Sequence, residues 1–132
     1  MRAAVEPLAA AAAARFSSDD ERVEIVAVAA RMRAARVGGS GEDYLALDIA
    51  FHAGLLRTSR NEMFAALTDV VAEVLAGRAF PGLVPREPSV VALDGHDAIA
   101  QAVFDGDAGT AERIMREIMT DVRDTVRVFD GF

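Results

Sequence analysis

The chain contains no cysteine, which excludes disulfides and thiolate metal sites, so any bound metal must be held by nitrogen and oxygen donors. It contains no lysine either: all 14 basic residues are arginine. Together with the abundance of Ala, Gly, Val and Asp this reflects a GC-rich coding bias and carries no chemistry. No apolar run approaches the ~18 residues needed to cross a bilayer. The alanine-rich stretch Ala9 to Ala14 is short and is followed by Arg15 and Phe16, which suits a tightly packed helix and not a signal sequence. Without a secretion or lipidation signal, a cytoplasmic location is expected. Positive charge is also in deficit. A net charge of −7 argues against this chain gripping a nucleic-acid backbone by itself, because such binding rests on clustered cations neutralising phosphates.

What is present is a chain of 132 residues, 52% of them hydrophobic, which suits one domain with a substantial core. Residues 1–16 read as a first helix with Val5, Leu8, Ala9 and Ala12 inward; Pro7 implies either a kink or a start near Glu6. Ser18-Asp19-Asp20-Glu21 is a capping box opening a second helix. That helix should carry Val23, Val26, Ala27, Ala30 and Ala34 inward and stop at Val37-Gly38-Gly39. Ser40, with Asp43 three residues on, opens a third helix running to about Thr58. Asn61 caps a fourth with Met63, Phe64, Leu67, Val70, Val71, Val74 and Leu75 on its apolar face, ending at Gly77. From Gly77 to Pro88 the pattern dissolves into one long loop. Ser89 caps a fifth helix to Phe104, weakened inside by Gly95. Asp105-Gly106-Asp107 then stops that helix and caps the last one, so the two run antiparallel. The last, Ala108 to about Val128, turns Ala111, Ile114, Met115, Ile118, Val122 and Val126 inward. Sustained alternation is missing, so no strand is expected. The fold class is all-α, an antiparallel bundle of about six helices.

Within the third helix, Leu45, Asp48, His52, Leu55 and Leu56 share one stripe, placing an acid and an imidazole where leucines are expected. A carboxylate withdrawn from water costs several kcal/mol unless it is paired. The partner is a salt-bridging arginine, a hydrogen bond within the Asp48/His52 pair, or a metal held by both. The only other histidine repeats the anomaly: Ala92, His96, Ile99, Ala100 and Val103 lie on one helical face. Asp and His at i and i+4 can meet one ion from a single helix, and a histidine on a facing helix supplies a third ligand. A metal-free hydrogen-bonded cluster fits the spacing equally well.

Four fragments, in order, carry a resemblance to a known family. They are Arg2-x-x-Val5-Glu6-Pro7-Leu8, Asp48-x-x-Phe51-His52, Ser59-Arg60-Asn61, and His96-x-x-Ile99-x-x-Ala102-Val103-x-x-Gly106-Asp107-x-x-x-Ala111-x-x-x-Met115. Together they resemble the effector-binding C-terminal (FCD) domain of FadR-subfamily, GntR-type transcriptional regulators. The resemblance covers essentially the whole chain. It implies an antiparallel helical bundle that follows a winged helix-turn-helix and holds a divalent metal through one aspartate and three histidines, with a small carboxylate effector on or beside it. Residue by residue, the metal ligands are Asp48, His52 and His96; the third histidine's position is occupied by Ile118. Three donors leave an open position for water or a ligand, and are equally what a decaying site looks like. Glu117 and Asp121 are poorly placed as substitutes. Gly95 stands where the family usually has glutamate, which takes away a side chain that would orient a metal ligand.

These observations lead to expectations. Residues 1–132 form a single ligand-binding helical domain of a homodimeric regulator, reaching DNA only through a winged-helix domain that this sequence does not contain, as an excised fragment or a truncated product. The effector is a small organic acid, the metal zinc or nickel. Arg2, Arg31, Arg57 and Arg78 are candidate carboxylate partners, since the guanidinium fork bonds both oxygens; the resemblance favours Arg2. No membrane association and no catalysis are expected. Two alternatives stand beside this reading. One is a structural bundle in which Asp48, His52 and His96 form a closed polar cluster. The other is a metalloenzyme activating water at an Asp/His/His site, although no nucleophile–base pair or phosphate-binding loop accompanies those residues.

Overall fold

The computed structural model describes residues 1–38, 42–77 and 90–130, with residues 90, 91 and 121–130 described by their backbone. Every element among them is a helix: α1 (Arg2–Phe16), α2 (Asp19–Val37), α3 (Tyr44–Thr58), α4 (Glu62–Ala66), α5 (Thr68–Gly77), α6 (Val90–Asp105) and α7 (Ala108–Asp130). The expected loop from Gly77 to Pro88, Arg78 within it, and the Ser40 and Ser89 caps lie outside the described residues, as do the side chains of Val122 and Val126.

The local signals act as their chemistry requires. Ser18 Oγ accepts the Glu21 N–H at 3.2 Å and Glu21 Oε1 accepts the Ser18 N–H at 2.7 Å, closing the capping box of α2. Asp43 caps α3 by accepting the Leu45 N–H. Ser59-Arg60-Asn61 forms a compact link. The Ser59 hydroxyl donates to Leu56 O and accepts the Asn61 N–H, Arg60 takes a left-handed φ of 60°, and Asn61 Oδ1 accepts the Met63 and Phe64 N–H groups. Gly106, at φ 75°, ends α6, and Asp107 receives the Thr110 N–H to start α7.

Several expectations change. The single helix expected after Asn61 is two, α4 and α5. Leu67 donates back to Phe64 O and Thr68 Oγ1 donates to Ala65 O, so carbonyls of the first piece are taken locally and the axis restarts. α1 continues through Pro7, whose missing N–H takes one bond from the ladder, and it buries Arg2, Glu6 and Pro7 while Leu8 is exposed. α2 buries Ile25, Val28, Ala29 and Met32, and leaves Val23, Ala30 and Ala34 exposed. In a helix with Val and Ala on nearly every side, the larger Ile25 and Met32 gain most from burial and set the rotation.

The bundle is organised around α3 and α6. α1 packs on α3, α6 and α7; α2 packs on α3 and α6; α5 covers α3, and α7 packs along α6. The main core gathers Ile25, Met32, Phe51, Leu55, Ile99, Val103, Met115 and Ile118, and a smaller cluster joins Ala9, Leu56, Val71 and Leu75. Alanines at 9–11, 13 and 14 are all buried, which lets α1 approach its neighbours closely. Met63, Val70 and Val74, expected inward, are exposed because only one side of the short α4–α5 pair meets α3. Arg33 on α2 bonds Asp94 and Asp97, the residues flanking Gly95 and His96, and so holds that turn of α6.

Candidate metal centre

α3 and α6 bring Asp48, His52 and His96 together in the interior. His52 Nε2 lies 3.1 Å from Asp48 Oδ1 and 3.2 Å from His96 Nε2, and His96 Nε2 lies 3.5 Å from Asp48 Oδ1. Both histidines are buried and Asp48 is half-buried. The i, i+4 spacing on α3 stacks Asp48 and His52 on one face, and the facing turn of α6 supplies His96. Phe51 packs edge-on against both imidazoles, 5.6 Å from His52 and 4.8 Å from His96 between ring centres, and closes one side of the cluster to water.

The residue that sequence reading passed over is Glu6. It lies outside the inward face that the sequence predicts for α1, yet its side chain is buried. It accepts a hydrogen bond from His52 Nδ1–H at one oxygen and from Arg2 Nε–H at the other. The signal was present as Arg2-x-x-x-Glu6, a charge pair on the stripe shared with Ala9 and Ala13. Arg2, Glu6, His52 and Asp48 thus form a continuous polar chain from the start of α1 to the α3–α6 contact.

Charge follows from this geometry. Burial alone would raise the Glu6 carboxyl, but the charge and hydrogen bond of His52, with those of Arg2, outweigh it and hold Glu6 at about 2. Burial likewise opposes ionisation of Asp48, and the two imidazoles overcome it, keeping its carboxyl well below the usual range. Burial would lower His52; Glu6 and Asp48 on its two sides raise it instead, to about 9. Burial first, then the Asp48 charge, pushes the Tyr44 hydroxyl up.

Asp48, His52 and His96 lie close enough to hold a metal ion, with one donor atom from each within 4.8 Å of the others. Ions bound at about 2.0–2.1 Å in tetrahedral or octahedral geometry keep neighbouring donors roughly 2.9–3.4 Å apart, which the observed triangle approximates. A second observation agrees. Asp48 Oδ1 is buried without a hydrogen-bond partner among the described residues, facing the two Nε2 atoms. The donor set fits a divalent ion.

A family model for the FCD domain matches residues 1–121. The chain belongs to the FCD domain family. The FCD fold also appears in the likeness to a solved structure titled Streptococcus agalactiae GntR, with a TM-score of 0.74 and 23% identity; the match covers 92% of this chain and 54% of that one. This FCD domain therefore spans about half the length of that relative. Among curated proteins none matches the sequence.

The four candidate arginines of this FCD domain fall in different places. Arg2 is buried on Glu6. Arg31 is exposed and paired with Glu42, its Nη2 2.6 Å from Oε2. Arg57 is exposed near the end of α3, and Arg78 lies outside the described residues. Ile118, at the position where the resemblance places a histidine, is buried on α7 against α6, where its side chain covers Gly95. A Cβ on Gly95 would lie 2.7 Å from Ile118 Cδ1 and 2.9 Å from Cγ1. The two positions that the resemblance singles out are therefore packed against each other. The space left by the absent side chain at 95 is filled by the branched side chain at 118.

Proposed function

We propose that this FCD domain is the effector-sensing and dimerising module of a GntR-type transcriptional regulator. In this reading it takes a small organic acid in the bundle core through a divalent ion, zinc or nickel, held by Asp48, His52 and His96. The observation that carries it is the triangle of Asp48 Oδ1, His52 Nε2 and His96 Nε2 in a buried site, with the carboxylate oxygen unpartnered. The ion would supply a fixed positive charge with coordination positions left over for a carboxylate. Residues 1–132 act as one ligand-binding domain, and the site senses without turnover. Ligand would bias the regulator only by its differential affinity for two helix arrangements. Of the three candidate arginines among the described residues, Arg2 is the one connected to the centre, through Glu6.

One observation favours a second reading, a closed metal-free cluster. His52 has a carboxylate near each ring nitrogen, so as an imidazolium it could satisfy Glu6 and Asp48 together. Asp48 Oδ1, buried and without a hydrogen-bond partner among the described residues, weighs against it.

Elemental analysis of tag-free protein, followed by thermal melts with Zn²⁺, Ni²⁺ and a panel of organic acids, decides between them. Under the sensing reading, metal at 100 times its Kd adds about 2.7 kcal/mol, a rise of several degrees, and this is lost in His52→Ala and His96→Ala. If neither metals nor acids move the melting temperature of the unmodified chain, the sensing reading fails.

A further inference from the structure

The two imidazoles of the centre are not equally supported. His96 Nδ1 has no hydrogen-bond partner among the described residues, whereas His52 Nδ1 meets Glu6 Oε1. A carboxylate at Nδ1 demands the proton there. In the neutral ring that a metal requires, this puts the lone pair on Nε2, on the side that faces Asp48 Oδ1 and His96 Nε2. The second oxygen of Glu6 is occupied by Arg2, so the carboxylate cannot turn away from the ring without breaking its other bond. Its backbone is fixed by α1, whose buried alanines hold that helix against its neighbours.

We infer that Glu6 is the positioning residue of the metal centre: supported by Arg2, it fixes the tautomer and ring orientation of His52 so that Nε2 is presented to a divalent cation. The inference rests on the metal reading above and names the helix that reports occupancy. Any ion on His52 is coupled through Glu6 to the first turn of α1. Carboxylate–histidine pairs of this kind commonly contribute ten- to hundredfold in metal affinity.

The test is a competition titration of Zn²⁺ against a chromophoric chelator for wild type, Glu6→Gln, Arg2→Leu and His52→Ala, with histidine ¹⁵N NMR of the zinc-loaded wild type. The expected result has three parts. His52→Ala abolishes tight binding. Glu6→Gln weakens it by ten- to hundredfold at unchanged stoichiometry, and Arg2→Leu does so by less. The wild-type spectrum shows His52 bound through Nε2 with a slowly exchanging Nδ1–H. Coordination of zinc by His52 Nδ1 in the wild type overturns the inference without reference to any variant, so a Glu6→Gln protein that fails to fold does not shelter it. Glu6→Gln affinity within threefold of wild type also overturns it while leaving the metal centre standing. A wild type that binds no zinc overturns both.

Discussion

Replacing Gly95 with alanine tests the packing that replaces the expected fourth ligand. Carbon atoms in van der Waals contact rest about 3.5–4.0 Å apart. The new Cβ would meet Ile118 Cδ1 at 2.7 Å and Cγ1 at 2.9 Å, with Ile114 Cγ2 at 3.6 Å in ordinary contact. Ile118 is buried, so to make room its side chain leaves its rotamer or α6 parts from α7. Overpacking of this kind costs about 1–3 kcal/mol. Against it stands the helix preference of alanine over glycine, about 1 kcal/mol in a helix interior. The net expectation for Gly95→Ala is a loss of about 0–2 kcal/mol. In an Ile118→Ala background both close atoms are gone, and the same substitution should stabilise by about 1 kcal/mol. The background change itself costs about 2–5 kcal/mol. A double-mutant cycle by urea denaturation, in chelator to remove metal linkage, should therefore give a coupling of about 1–3 kcal/mol between positions 95 and 118. If Gly95→Ala stabilises both backgrounds equally, the Gly95–Ile118 contact does not constrain α6 and the two positions do not act as a packed pair.

Arg22 gathers carbonyls from two helix ends, donating to Ala14 O at 2.8 Å, Ser17 O at 3.2 Å and Phe104 O at 3.2 Å. Arg22→Ala should cost about 1.5–3 kcal/mol in chemical denaturation, and a loss under 0.5 kcal/mol would show that water replaces the guanidinium at no cost. In metal-free protein, Glu6 at about 2 against an ordinary 4.5 gives a contribution complete above 4.5 and lost as pH falls toward 2; His52 at about 9 against 6.5 gives one complete below 6.5 and lost as pH rises through 9. Melting temperatures in chelator should thus decline from pH 6.5 toward 8.5. The increment added by zinc should grow over the same interval, because the ion needs an unprotonated His52 Nε2. Zinc and chelator curves that run parallel across this range would contradict that linkage.

Much of the site was legible because helical spacing is a local property. Asp48, His52, Leu55 and Leu56 share a face through α3 alone, and His96, Ile99, Ala100 and Val103 do so through α6. Position along the chain also exposed the caps at Ser18, Asn61 and Asp107, whose partners lie within three residues. Glu6 was missed because α1 carries alanine on most of its sides, so its apolar pattern does not choose a face. The same weakness misplaced the buried side of α2. Met63, Val70 and Val74 were misjudged for a different reason: how much of a helix is covered depends on how many neighbours reach it.

By itself, the sequence determined the all-helical class, the caps at Ser18, Asn61 and Asp107, and the two faces that each offer polar donors to the core, because all of these depend on residues a few positions apart. Only the tertiary structure decided what those donors meet. It brought His52 between Asp48 and Glu6, residues 4 and 46 positions away. It also set Ile118 against Gly95 so closely that a single Cβ would collide. Contacts between helices depend on how far each rolls and how closely it approaches, and those are settled by the packing of every side chain between them at once.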